Sequence, residues 1–227
     1  MIRFPKNSSS FLVAAGTHPA ICYCVAELGT QETSYGKKPQ IHIGWELPEE
    51  PLPNGRPAVV SRRYAVSADP KSALRTDIES WEGRRFAAID LDAFDIADLI
   101  GQTCLLSVQH SDEVGGRIYA NVASVLPPPR GMAKRMQTHN DPIVFELEHE
   151  SARAMYAALP EWLRTTISRS PEYQQRFGAT AGLSGREAGQ HRAAPAMRRQ
   201  APALVEATVA ELPDDDVNDA PFDFDER

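Results

Sequence analysis

Five aromatic residues and seven cations carry the most suggestive chemistry in this chain. Tyr35, Trp45, Tyr64, Phe86 and Tyr119 could present ring faces, and Lys37, Lys38, Arg62, Arg63, Arg84, Arg85 and Arg117 lie close to them in sequence. Ring faces stack on unpaired bases, each for about 1–3 kcal/mol, and cations follow a phosphate string with an affinity that falls with salt. Their grouping matters more than their number. Tyr35, Lys37 and Lys38 share one turn-prone stretch, Arg62, Arg63 and Tyr64 share a strand-like run, and Arg117 and Tyr119 follow a glycine turn.

Each of these residues also has a plainer role. Trp45 alternates in phase with Ile41, Ile43 and Leu47, so it reads as core. Alternation sets Arg62 and Tyr64 on one face of their strand and Arg63 on the other. One arginine must point outward, and the sequence leaves open which. Tyr119 is out of phase with Ile118 and Val122, which fits either a stacking platform or a contact between elements. Lys37 and Lys38 are either phosphate contacts or ordinary solvated loop charge.

The formal net charge of −7 belongs to one short segment. Residues 211–227 hold eight acids against one base, and the remaining residues balance at 23 acids and 23 bases. Such a block is solvated and often serves as an interaction tail. Before it, residues 178–210 are rich in Ala, Gly, Arg, Gln and Pro, with Arg186, Arg192, Arg198 and Arg199 among them. Few large apolar residues occur there, so little burial could offset the ordering entropy, and the stretch reads as a disordered linker.

Enzyme signatures are missing. No G-x-x-x-x-G-K-[ST] phosphate loop, H-E-x-x-H zinc helix or G-x-S-x-G elbow occurs. The acids between Asp90 and Asp98 could hold Mg²⁺ in a nuclease, but carboxylates on a helix surface are ordinarily just solvated. Cys22-Tyr23-Cys24 is either half a metal site or two small apolar residues on one strand face, and no second Cys/His pair has ligand spacing. We therefore read the chain as a non-enzyme with no catalytic residue, no metal and no cofactor. The three cysteines do not make a disulfide framework, the N-terminus lacks a long apolar h-region, and no run approaches the ~18 apolar residues of a membrane helix. The expected setting is the cytoplasm, away from membranes.

The elements that would position these residues follow from periodicity and turn signals. Strands are expected over Thr17–Gln31, Gln40–Leu47 and Val59–Val66, with turn-rich stretches between them. Asp69-Pro70 opens a helix whose Leu74, Ile78 and Trp81 share a face, and Gly83 stops it. A short helix over Asp92–Ile100, a strand over Cys104–His110, a turn over Asp112–Gly116 and a strand over Arg117–Leu126 complete the pattern. Three strands, a helix and two strands is the order of an OB-fold, a five-stranded Greek-key barrel. The fold expected is mainly β: an OB-fold domain over 1–130, a helical appendage over 131–177, a disordered linker over 178–210 and an acidic tip over 211–227. Within the appendage, Phe145, Leu147, Ala152, Met155, Tyr156, Leu159, Trp162, Leu163 and Ile167 give a helical pattern broken at Pro160. It fits either a helix pair packed on the barrel's flank or an oligomerisation or DNA-covering element.

The tip Asp214-Asp215-Asp216-Val217-Asn218-Asp219-Ala220-Pro221-Phe222 resembles that of bacterial single-stranded DNA-binding proteins, in which a disordered linker leads to aspartates and then Pro-Phe. The body, especially Val60–Ser67 and Arg117–Ser124, is similar over roughly its first 175 residues to phage and prophage OB-fold proteins regarded as single-stranded DNA-binding. The resemblance implies a protein of bacteriophage DNA replication or recombination that binds single strands with little sequence preference. DNA would lie on the strand 2–3 face and the loops after strands one and four, with Tyr35, Lys37, Lys38, Arg62, Arg63, Tyr64, Arg117 and Tyr119 as contacts. Asp214, Asp215, Asp216, Asp219, Pro221, Phe222 and Phe224 would hold replication or recombination proteins. In the bacterial family the phenylalanine comes last, whereas five residues follow Phe222 here. An interaction or annealing accessory factor on the same fold is the alternative. Oligomeric state stays open, a homo-oligomer included.

Overall fold

The computed structural model describes residues 11–34, 36–87, 89–90, 93–112 and 118–178. Strands β1 (Gly16–Thr33), β2 (Gly36–Pro51) and β3 (Pro57–Ala65) come first, followed by helix α1 (Ala73–Glu82). A single 3-10 turn (Ile96–Leu99), β4 (Thr103–His110), β5 (Ala120–Leu126) and the short β6 (Ile143–Phe145) follow. Helices α2 (Ala152–Ala158) and α3 (Glu161–Ser168) and a final turn from Pro171 to Gly178 end the described chain. The molecule is mainly β, with one sheet in the order β3-β2-β1-β4-β5 and β6 added beside β1. All pairs along the path are antiparallel, and β6 runs parallel to β1.

The centre of the sheet is β1, which is covered on both faces. That explains why its sequence alternates only loosely: a strand with no solvent side keeps apolar residues in both phases. The strand is bent twice, by register shifts between Cys22 and Cys24 and between Glu27 and Gly29. A bulge places two residues opposite one and turns side chains to new faces. Cys22 therefore points into one core and Cys24 into the other, which corrects the reading that the two share a face. Gly29, at φ +69°, meets the second need of a bulge: a Cβ there would lie 2.6 Å from the Ser170 side chain. Only glycine tolerates both the left-handed backbone and that approach.

The inner core holds Ile41, Ile43, Trp45 and Leu47 of β2, Val60 and Tyr64 of β3, and Leu74, Ile78 and Trp81 of α1. Helix α1 begins at Ala73, capped by the Ser72 hydroxyl accepting from Arg75 N at 3.3 Å, rather than at Asp69-Pro70. Gly83, in the left-handed conformation, closes it by donating to the carbonyls of Glu79 and Ser80. The indole of Trp81 donates to Thr103 O at 2.9 Å and so ties α1 to β4. The expected helix over Asp92–Ile100 reduces, among the described residues, to the 3-10 turn with Asp95 as its cap.

A second core lies on the outer face, built from Cys24, Ala26 and Leu28 of β1 with Phe145, Leu147, Leu159, Leu163 and Ile167 of the C-terminal segment. Residues Ile143–Phe145 were expected to be helical and form a strand instead. Their backbone pairs with Cys24–Ala26, on the edge that β4 leaves vacant beyond Ile21. Pro160 separates α2 from α3, consistent with its missing N–H.

The sheet is not closed: among the described residues, no backbone ladder joins β3 to β5. The two edge strands nevertheless approach, and Arg62 of β3 donates from Nη1 to Ala123 O of β5 at 3.2 Å.

Candidate functional site

Strand β3 presents its two phases to different surroundings. Tyr64 is 3% exposed and donates its hydroxyl to Asp77 Oδ2 of α1 at 2.8 Å. Arg62 donates to the same oxygen at 2.9 Å, with its guanidinium 5.0 Å from the Tyr64 ring centre. Burial raises the Tyr64 pKa, and the Asp77 charge adds to the rise. Asp77 is likewise raised by burial, against the opposing pull of Arg62 and the Tyr64 hydroxyl. This closed triad spans β3, α1 and β5. The stacking role expected of Tyr64 is thereby corrected, because its ring has no open face, and Arg62 serves the triad. Trp45, at 0% exposure, and Phe86, at 3%, are also core.

Arg63 is the arginine that faces outward. It sits across the ladder from His42 and is half-buried. Lys37 and Lys38 belong to the first residues of β2, opposite Glu32 and Gln31 of β1, and not to a loop as expected. Lys37 is exposed and Lys38 half-buried. Tyr119 is half-buried where the chain enters β5, its backbone paired with Ser111. Tyr35, Arg117 and the partner-binding residues of the tip lie outside the described residues. The structure thus brings Lys37, Lys38 and Arg63 onto the hairpin and the β2–β3 strands, with Tyr119 on a different pair of strands.

The outward row of β2 contains Gln40, His42 and Glu46, all buried, the last two in contact with the C-terminal segment. His42 packs edge-on against Trp162 of α3, with ring centres 4.8 Å apart. Burial, reinforced by the Arg63 charge, holds its pKa down to about 3, so the imidazole is neutral. Glu46 accepts from His139 N at 2.6 Å, Asn140 N at 3.0 Å and Asn140 Nδ2 at 2.9 Å. Glu27 accepts from Leu147 N at 2.7 Å, and burial raises its pKa despite that bond. Two strand carboxylates therefore hold the backbone of residues 139–147 against the sheet. Sequence reasoning missed both, although a lone glutamate inside a clean apolar alternation, as at Glu46, is the signal that could have found one.

Further along, Gln31 Nε2 donates to Thr166 O at 3.2 Å, and Glu172 accepts from Thr30 N at 2.9 Å and Thr30 Oγ1 at 2.5 Å. Partial burial pushes the Glu172 carboxyl up, but the two Thr30 bonds outweigh it and leave the pKa lowered. Helix α3 thus follows β1 towards the hairpin tip. On the other side of Glu27 a cleft of about 490 Å³ is lined by Ile41, Phe94, Asp95, Phe145, Glu146 and Glu148 among others. Its acidic lining repels phosphate. Among the described residues no group of three or more His, Cys, Asp or Glu is placed to hold a metal ion. The cysteines are buried free thiols, Cys24 being pushed up to about 12 by burial, so none is poised to react.

No family model matches the chain, and no curated protein matches it. No helix among the described residues is long and apolar enough to cross a membrane.

Proposed function

We propose that this protein binds single-stranded DNA with little sequence preference, on the outward side of a five-stranded OB-type barrel. The observation that carries the proposal is the placement of Lys37, Lys38 and Arg63 on the β1–β2 hairpin and the β2–β3 strands. That is the side of such a barrel along which single strands lie. The barrel reading draws support from the sheet order β3-β2-β1-β4-β5, the order a five-strand circuit would have if opened between β3 and β5, and from the Arg62 bond between those two strands. The helix between β3 and β4 agrees with it. The acidic tip, with Pro221, Phe222 and Phe224, would recruit replication or recombination proteins.

Fluorescence anisotropy with a labelled oligo-dT strand and a labelled duplex tests the proposal. Binding should favour the single strand and weaken steeply with salt. Replacing Lys37 and Lys38 together by alanine should lower the affinity and flatten the salt slope by up to about two, roughly one per lost phosphate contact. Equal binding to both nucleic acids would defeat it. Binding to neither would favour an accessory interaction factor, a reading helped by the burial of His42 and Glu46 under the chain's own C-terminal segment.

A further inference from the structure

We infer that Trp162, carried by the C-terminal helical segment, is a base-stacking residue of this protein, and that α3 and the β2–β3 strands form one track for an unpaired DNA strand. The inference rests on the single-stranded DNA reading above and names a residue on which the binding turns.

The inner core offers few ring faces. Trp45, Tyr64, Trp81 and Phe86 are all 3% exposed or less. Trp162 is half-buried and lies over the part of β2 where the cations gather. Helix geometry explains the position. Leu163, Thr166 and Ile167 form the buried face of α3, and Trp162 precedes Leu163 by one residue, or 100° around the helix. The indole therefore sits on the flank of the packed face, in a T-shaped contact with His42 and half-buried.

The cations lie along this flank. Arg63 is the ladder partner of His42, the residue that the indole touches. Four residues before His42, about 13 Å along the strand, comes Lys38. Its ladder partner Gln31 bonds the carbonyl of Thr166, so the last turn of α3 passes next to it. Arg169 follows three residues after Thr166 and is exposed. An indole near Arg63, with Lys38 and Arg169 further along towards the hairpin, is the combination of ring and cations that single strands require. The acids nearby are Glu161, beside Trp162 in sequence, Glu46, four residues beyond His42 and engaged by His139 and Asn140, Glu32, opposite Lys37, and Glu172, which is engaged by Thr30. Two of the four lie at the hairpin end of the track, away from the indole.

If Trp162 only covered His42, any large apolar side chain would serve; stacking on bases requires an aromatic ring. The full chain supplies its own probe, because Trp45 and Trp81 are buried and Trp162 is the half-exposed indole of the three. Titration with unlabelled oligo-dT should quench tryptophan emission in parallel with the binding measured by anisotropy. Trp162→Leu should weaken binding about 5- to 150-fold, the equivalent of about 1–3 kcal/mol for one stacked base, with the salt slope unchanged because no phosphate contact is lost. Trp162→Phe should recover most of that affinity while removing the quench. Binding by the unmodified chain without an emission change would overturn the inference, as would Trp162→Leu binding within twofold of it. Where Trp162→Leu fails to fold by circular dichroism, the quench in the unmodified chain decides. Failure of the unmodified chain to bind oligo-dT at all would instead remove the single-stranded DNA reading, and this inference with it.

Discussion

Both faces of β1 are buried, but by different kinds of neighbour. The inner face meets β2, β3, β4, β5 and α1, elements that follow one another within about 110 residues of chain. The outer face meets a segment more than 100 residues away, whose backbone is held by Glu27, Glu46 and Gln31. The inner core is sealed by side-chain packing and one charged triad. The outer one is fastened at its margins by hydrogen bonds from strand side chains to another segment's backbone. Residues 143–145 add a strand to the sheet and the helices after them cover its outer face, so the outer core is expected to melt together with the inner one.

The largest effect should come from removing the outer core's centre. Phe145→Ala deletes a ring that is 1% exposed and should cost about 3–5 kcal/mol. If the two cores are one cooperative unit, tryptophan emission and far-UV circular dichroism will lose stability together in urea melts. An inner-core transition left unmoved would break the comparison. Next in size is the inner triad. Asp77→Ala leaves Arg62 and the Tyr64 hydroxyl without their shared acceptor. It should cost about 3 kcal/mol, the lower end for a broken buried pair, because Arg62 keeps some solvent contact. Gly29→Ala should cost about 2 kcal/mol, from left-handed strain and contact with Ser170. Its damage should be greatest near the final turn, as read by faster proteolysis after Arg169 or Arg176.

Near neutral pH the smallest effect is a pH slope. His42 is held near 3 by burial and Arg63, against an ordinary value of 6.5. Below about pH 6.5 the unfolded chain takes up a proton that the folded chain refuses, so stability falls as pH drops towards 3 and is unaffected by this group above 6.5. His42→Phe should flatten the dependence of the urea midpoint over that range by up to about one proton. Asp77 and Glu27 work in the opposite sense, since their raised values favour the folded state as they protonate. Comparison of the variant with the unmodified chain isolates the histidine.

The inner face was readable because its residues obey local periods. Ile41, Ile43, Trp45 and Leu47 alternate, and Leu74, Ile78 and Trp81 recur at helical spacing, so each announces its own face. Alternation correctly grouped Arg62 with Tyr64, but it carries no information on what that face meets, and the partner, Asp77, sits on another element. Lys37 and Lys38 were placed in a loop because Gly36 and Pro39 look like turn residues, whereas the ladder with β1 continues past them. The strand at Ile143–Phe145 was hidden by its length: three residues beside Leu147 fit a helical pattern as well as a strand. The bulge at Tyr23 left no compositional trace, and it decides which core each cysteine enters. The Trp162 position could not be found from the sequence, because it depends on the distant pairing of β6 with β1.

The parallel pairing of β6 with β1 also bears on how the chain comes off the ribosome. β1 and β2 can form a hairpin as soon as both have emerged, but the edge of β1 at Cys24–Ala26 waits for Ile143–Phe145. At about 5–20 residues per second, synthesis leaves that interval open for about 6–24 s. Throughout it, the apolar outer side of β1 and an unpaired backbone edge are exposed together, the combination most prone to pairing with a neighbouring chain. Slow steps in translation between Ala26 and Phe145 would lengthen that exposure, and those after Phe145 would not.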